Sequence, residues 1–200
     1  MDKPQWPATL FTRNLRPQLD KFIDRVEADA SAKQTRPLER HAPVSLREIT
    51  KATARAILFL DVNAEQAGLV APNAVSIAQA HFAPEAWFRA IYADETPVGF
   101  AMLEDWSQVT ASEREEHLHH GKPYVYLWRF MIDARYQGMG FGEQALTQLI
   151  NYAASRPGAA TMLLSFVPNT HNPEAFYLRH GFARTGEMDG NEVVMARALP

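Results

Sequence analysis

Three glycines at alternate positions stand in the run Gln137-Gly138-Met139-Gly140-Phe141-Gly142, directly before a helical pattern. Glycines leave successive backbone N–H groups unobstructed, and unpaired amides at a helix start favour a phosphate or pyrophosphate. Neither G-x-G-x-x-G nor G-x-x-x-x-G-K-[ST] fits, because position 143 is Glu143 and no lysine follows the glycines. A dinucleotide fold and a P-loop are therefore disfavoured, and the competing reading is a strand-to-helix turn that holds nothing. The second residue of interest is Tyr177, in Ala175-Phe176-Tyr177-Leu178-Arg179-His180-Gly181-Phe182. A tyrosine hydroxyl, of ordinary pKa ~10, can act as the acid for a leaving thiolate of pKa ~8.5. Taken alone, Tyr177 is more simply a packed aromatic.

The elements around these residues follow from periodicity. The apolar run from Tyr124 leads as a strand into the glycine turn, and Leu146, Leu149, Ile150 and Ala153 give Glu143 to Ala154 one apolar helix face, ended by Pro157-Gly158. Before them stand a strand from Val44 to Ile49, a helix carrying Ala54, Ile57 and Leu58 capped at Thr50 or Thr53, and a second helix, Ala74 to Ala80, capped by Asn73. Ala86 to Tyr92 and Val98 to Leu103 flank Asp94-Glu95-Thr96-Pro97 as a hairpin. After the long helix come a buried strand, Thr161 to Val167, a short helix, Pro173 to Arg179, and two strands, Phe182 to Thr185 and Glu192 to Leu199, joined at Asp189-Gly190. Tyr177 thus stands at the end of a short helix beyond the next strand, where a mixed sheet can return it to the cleft at the glycine turn.

Residues 1–43 form an appendage. Leu19, Phe22, Ile23 and Val26 recur at helical spacing after Pro17, predicting an amphipathic helix over about 17–30, followed by a Pro-containing linker. Its apolar stripe needs cover, and a homodimer would supply it. Residues 44–200 make the main domain.

Composition closes off other classes. The 200 residues carry a formal net charge of −3 and a pI near 6.2, which gives no overall attraction to nucleic acid or anionic membrane. Without cysteine there is no disulfide, thiolate ligand or cysteine nucleophile. No apolar run approaches the ~20 residues of a membrane span, so a cytoplasmic protein is expected. Asp105 to Lys122 is a polar excursion holding Glu113, Glu115, Glu116, His117, His119 and His120. Its histidines lack the i, i+4 spacing of a helical metal site, so no metal is expected; an acidic patch for a cationic substrate stays open beside a solvated loop.

Gln137 to Gly142 resembles the Q/R-x-x-G-x-G/A acetyl-CoA loop of the GNAT N-acetyltransferases, and Phe176-Tyr177 before Gly181-Phe182 resembles that superfamily's tyrosine four residues ahead of Gly-Phe. The element order from Val44 onward is similar as well. A narrower likeness, to the bacterial diamine or spermidine/spermine acetyltransferases, is carried by Ser45 to Thr50 (SLREIT), Asn73 to Ala80 (NAVSIAQA), Ile91 to Phe100 (IYADETPVGF), Trp128 to Asp133 (WRFMID), Thr185-Gly186-Glu187 and Asp189-Gly190-Asn191-Glu192.

This resemblance implies an α/β fold with a mixed, twisted sheet whose fourth and fifth strands splay apart. It also implies acetyl-CoA as cosubstrate, its pantetheine arm on main-chain groups of Met131 and Ile132 and its pyrophosphate on the amides of Gln137, Gly138, Met139, Gly140, Phe141 and Gly142. An amine would attack the thioester directly, with Tyr177 protonating the departing sulfur. Because an aliphatic ammonium has a pKa of ~10.4, the site must select or create the neutral amine, and a carboxylate acting through water would serve; Glu104 is the first candidate, with Glu65 and Glu192 behind it. Glu65, Glu104 and Trp128 are expected on the acceptor side. Two positions depart from the pattern. Thr170 replaces a frequent Asn, leaving Asn172 to do its work, and Met139 replaces a frequent basic residue, leaving phosphate to backbone donors and Arg135. The function expected is acetyl transfer to a small primary amine, a diamine or polyamine. The alternatives are another amine, on an antibiotic or a protein, or a non-catalytic acyl-CoA-binding module.

Overall fold

The computed structural model describes residues 37–108, 110, 112, 122–170 and 172–200. Of the chain's two compact units, Met1–Leu38 and Glu39–Pro200, the described residues fall almost wholly in the second. The expected helix over 17–30 lies outside them. So do Glu113, Glu115, Glu116, His117, His119 and His120.

Among the described residues eleven strands and α-helices follow in the expected order: β1 (Val44–Arg47), α1 (Ala54–Leu58), α2 (Asn73–Ala80), β2 (Ala86–Ala93), β3 (Thr96–Asp105), β4 (Tyr124–Ile132), α3 (Phe141–Ala154), β5 (Thr161–Phe166), α4 (Glu174–Arg179), β6 (Ala183–Asp189) and β7 (Glu192–Ala198). They build one seven-stranded sheet in the order β1-β2-β3-β4-β5-β7-β6. Every pairing is antiparallel except β4 with β5.

Both sheet faces carry apolar cover. Ile57 and Leu60, at the end of α1, pack with Ala90, Tyr92, Phe100, Met102 and Met131 on one face, with Ile77 of α2 beside them. α3 lies along β1 and β4 and buries Phe141, Ala145, Leu146, Leu149, Ile150 and Ala153, the stripe anticipated from their spacing. No helix among the described residues is long and apolar enough to cross a membrane.

Two caps differ from expectation: Thr53 stands at the N-cap of α1, but its side chain makes no capping hydrogen bond there. α2 begins at Asn73 itself, behind Pro72. The Asn73 side chain is buried and donates to the Ile57 carbonyl at 2.8 Å, so it ties α2 to α1 instead of capping its own helix. Asn73→Ala removes that hydrogen bond and leaves the Ile57 carbonyl with the Leu60 amide at 3.3 Å, a loss of about 0.5–1.5 kcal/mol. Denaturant unfolding is expected to show it as a lower midpoint at unchanged slope.

Candidate active site

The sheet opens where β4 and β5 part company. Their parallel pairing runs only from Tyr124↔Thr161 to Leu127↔Leu164, while β4 continues along β3 to Ile132. At the parting point Met102 pairs with Arg129 but Leu103 pairs with Leu127, so Trp128 is the extra residue of a bulge in β4. Beyond it the β4 edge facing β5 has no strand partner among the described residues. A cleft of about 1260 Å³ occupies the gap.

The glycine turn forms one end of the cleft. Gly138, Gly140 and Gly142 all line it. Gly138 (φ 73°) and Gly140 (φ 88°) adopt the left-handed conformation that a Cβ disfavours. Gly140 is the N-cap of α3 and has no side chain to cap that 14-residue helix, so among the described residues its first amides are available to an anion. Phe141 and Met139 are not among the lining residues: Phe141 buries its ring in the core, and Met139 gives its carbonyl to the His41 amide at 2.9 Å. A Cβ on Gly140 would run into the His41 imidazole.

Gln137 has a role the spacing did not reveal. Its Nε2 donates to Ile132 O at 2.9 Å and to Gln66 Oε1 at 2.7 Å, while its Oε1 accepts from Asn63 Nδ2 at 2.8 Å. The side chain therefore fastens the loop to the end of β4 and to the 3₁₀ turn Ala64–Gln66. Arg135, expected to help with phosphate, is instead wrapped on Asp133, with Nε 2.8 Å from Oδ1 and Nη2 3.1 Å from Oδ2. Burial works against the Asp133 charge, yet hydrogen bonds from Arg135 and from the Asp61 and Arg135 amides hold its carboxyl below the usual range. That pair braces the exit from β4. The basic residues near Gly140 are Arg40 and His41, both lining the cleft and neither suggested by the sequence.

The strand end presents its main chain differently from expectation by one residue. The Asp133 amide donates to Val98 O of β3 at 2.9 Å, so by alternation Met131 also turns its main-chain groups toward β3. Phe130 and Ile132 face the gap, and the Ile132 carbonyl is already held by Gln137. The Met131 side chain belongs to the core under α1 and α2.

Tyr177 reaches the cleft from α4, its ring edge-on to Phe176 and Phe182 at 5.4 and 5.9 Å. Its hydroxyl makes no hydrogen bond among the described residues. Burial pushes its pKa well above that of an ordinary tyrosine, and the nearby Tyr126 adds to the effect. Asn172 lines the same cleft, its Oδ1 accepting from the Glu174 amide at 3.0 Å to start α4.

The other end is acidic. Glu104, Asp189 and Glu192 line it, with Arg129 the cation among them. Glu104 sits opposite Tyr126 in the β3–β4 register. Burial raises its pKa, against a 3.3 Å hydrogen bond from Trp106 Nε1, with Glu85 adding and Arg129 subtracting. Trp128 also lines the cleft, under the Arg129 guanidinium at 4.9 Å from the ring centre. Glu65 is exposed on the Ala64–Gln66 turn and is not among the lining residues, whereas its neighbour Gln66 is. Tyr126, Ser165 and Asp189 were not anticipated. Tyr126 is found only through the bulged β3–β4 register that sets it opposite Glu104, and the others needed the strand order. Among the described residues, no group of three His, Cys, Asp or Glu could hold a metal ion.

This combination, a parted β4–β5 pair with an uncapped glycine-led helix at the gap, defines an acyl-CoA-type transfer site. The model of the acetyltransferase (GNAT) family matches residues 54–182. Over 161 residues, 78% of this chain and 99% of the relative, the sequence is 31% identical to the spermine/spermidine N(1)-acetyltransferase of Bacillus subtilis (strain 168). The fold is shared with the PaiA N-acetyltransferase from Thermoplasma acidophilum in complex with coenzyme A, at TM-score 0.53 and 15% identity over 78% of this chain and 99% of that one. It is shared also with the ribosomal-protein-S18-alanine N-acetyltransferase from Escherichia coli, at TM-score 0.55 and 17% identity over 78% and 94%. The chain belongs to the GNAT acetyltransferase family and is an acetyl-CoA-dependent N-acetyltransferase.

Proposed function

We propose that the acceptor is a primary amine of a diamine or polyamine. The observation that carries this reading is the acidic end of the cleft, where Glu104, Asp189 and Glu192 stand with Arg129, while the Gly140 end has the helix-start amides, Arg40 and His41 beside a single carboxylate, Glu143. A polycationic acceptor would meet opposite charge at the acidic end, and an anionic donor would meet the helix-start amides at the other. The similarity to a protein named for spermine and spermidine supports the same class.

In this reading acetyl-CoA supplies the activated acetyl thioester. The chain's residues do the rest. The amides of Phe141, Gly142 and Glu143 hold the pyrophosphate, and the cleft-facing main chain of Phe130 and Ile132 orients the pantetheine arm. Glu104 meets the incoming ammonium. Tyr177, protonated at any working pH because burial raises its pKa, donates a hydrogen bond to the sulfur as charge develops there. Complete proton transfer from so weak an acid to a thiolate of pKa ~8.5 is uphill, so stabilisation of the leaving group replaces the outright protonation first expected. We further propose the cytoplasm as compartment, in keeping with the lack of cysteine, and a homodimer whose second copy covers the stripe Leu19, Phe22, Ile23 and Val26.

Thiol release from acetyl-CoA with a panel of amines tests the acceptor, and a cysteine-free protein gives that assay no background of its own. Diamines and polyamines should give the highest kcat/KM, and Glu104→Gln should raise their KM about tenfold while leaving CoA affinity unchanged. Preference for an aminoglycoside or a peptide amine would overturn the polyamine assignment. CoA binding without turnover on any amine would make the protein a binding module.

A further inference from the structure

Two hydroxyls and a carboxylate form an unbroken chain across the acidic end of the cleft. Tyr126 Oη lies 2.6 Å from Ser165 Oγ, and Ser165 Oγ donates to Glu192 Oε2 in a very short hydrogen bond. The three residues stand on β4, β5 and β7, neighbouring strands of the sheet, and all line the cleft. Ser165 has one hydroxyl hydrogen, and the Glu192 carboxylate takes it. Ser165 must therefore accept from Tyr126, which points the only Tyr126 hydrogen away from the cleft and leaves its oxygen lone pairs for a donor there. Tyr126 is also one residue ahead of Leu127, the last β4 residue paired with β5, so it stands at the root of the gap.

We propose that Tyr126, Ser165 and Glu192 form a proton relay that neutralises the acceptor ammonium, with Glu192 as the final proton acceptor. This rests on the amine-acceptor reading above and corrects the expected order, in which Glu104 came first. The step balances within the site. One N–H bond of the ammonium breaks and its proton joins Tyr126 Oη; the Tyr126 proton passes to Ser165 Oγ; the Ser165 proton passes to the Glu192 carboxylate. The amine keeps its electron pair for attack on the acetyl carbonyl, no redox change occurs, and Glu192 returns the proton to solvent by the reverse route. Tyr126 is pushed up to about 12, by burial first, with Ser165's hydrogen bond opposing and Glu192, Asp189 and Glu104 adding. It is thus held as a neutral hydroxyl, which conducts a proton only by giving up its own in the same motion. The charged and titratable groups facing Tyr126 are Glu104, Asp189, Glu192, Arg129 and Tyr177.

The test is Ser165→Ala, which breaks the relay while leaving the cleft's charges in place. It is assayed with the best primary amine of the parent enzyme from pH 6.5 to 9.5. A positioned base is worth about 10²–10⁴-fold, so kcat/KM should fall about 100-fold near neutrality. The deficit should shrink toward severalfold as pH approaches the amine pKa of ~10.4, where neutral amine no longer has to be made. CoA affinity should not change, and Ser165→Thr, which keeps a hydroxyl on a β-branched side chain, should recover most of the loss. Glu192→Gln should reproduce the pH-dependent deficit and carries the test if Ser165→Ala does not fold. A deficit constant across that pH range, or variants as fast as the parent, would overturn the relay. Turnover of an amine other than a polyamine would sink the acceptor class alone, with the relay judged on that amine; a parent inactive on every amine would sink both.

Discussion

Replacing Tyr177 by Phe is expected to lower kcat about 100-fold, within the 10²–10³ range typical for loss of one preorganised donor at a developing charge. The substitution removes a hydroxyl and little else. The ring keeps its edge-on contacts with Phe176 and Phe182, and the hydroxyl makes no hydrogen bond among the described residues that folding would lose. Thermal stability and CoA affinity should therefore stay at parental values while turnover falls. Equilibrium CoA titration beside steady-state kinetics separates these quantities. A Phe variant with parental kcat would remove Tyr177 from the chemistry.

Gly140→Val should act on the opposite quantity. A valine at φ 88° bears a left-handed backbone cost of about 1–3 kcal/mol, and its Cβ collides with the His41 ring. Either the loop or His41 must move, and both are tied together through the His41 amide and Met139 O. The amides at the start of α3 move with them. CoA Kd is expected to rise about 100-fold, read by calorimetry. Gly186→Ala supplies the control, since Gly186 has the same φ of 88° with open space around it and does not line the cleft. That variant should lose stability and keep CoA affinity. Unchanged affinity in Gly140→Val would sink the assignment of the loop to CoA.

Fold legibility followed from the locality of the signals. Each of the eleven elements carries its own periodicity or turn chemistry, so α3 could be read from Leu146, Leu149, Ile150 and Ala153 and the β2–β3 hairpin from Asp94-Glu95. Errors came where a residue fitted a local rule but was used elsewhere. Asn73 has the composition of a cap and instead donates to Ile57, 16 positions away. Arg135 has the charge for phosphate and instead satisfies Asp133, a buried carboxylate that would be costly unpaired.

The chain of residues alone settles that a glycine-led helix start follows a strand, that a tyrosine closes a later short helix, and that the family pattern joins them. Those are features of contiguous segments, and contiguous segments are where local backbone preference acts. The acidic end of the cleft is a different matter. Tyr126, Ser165 and Glu192 are 39 and 27 positions apart, and nothing near any of them marks a hydrogen-bonding partner. They meet because β5 inserts between β4 and β7, a choice made by burying the apolar faces of all three strands in one sheet. His41 reaches Gly140 for the same kind of reason, held by Gln144 to the Ala42 carbonyl 102 positions away. Strand order, fixed by core burial and not by any local motif, is what turns scattered polar residues into a site.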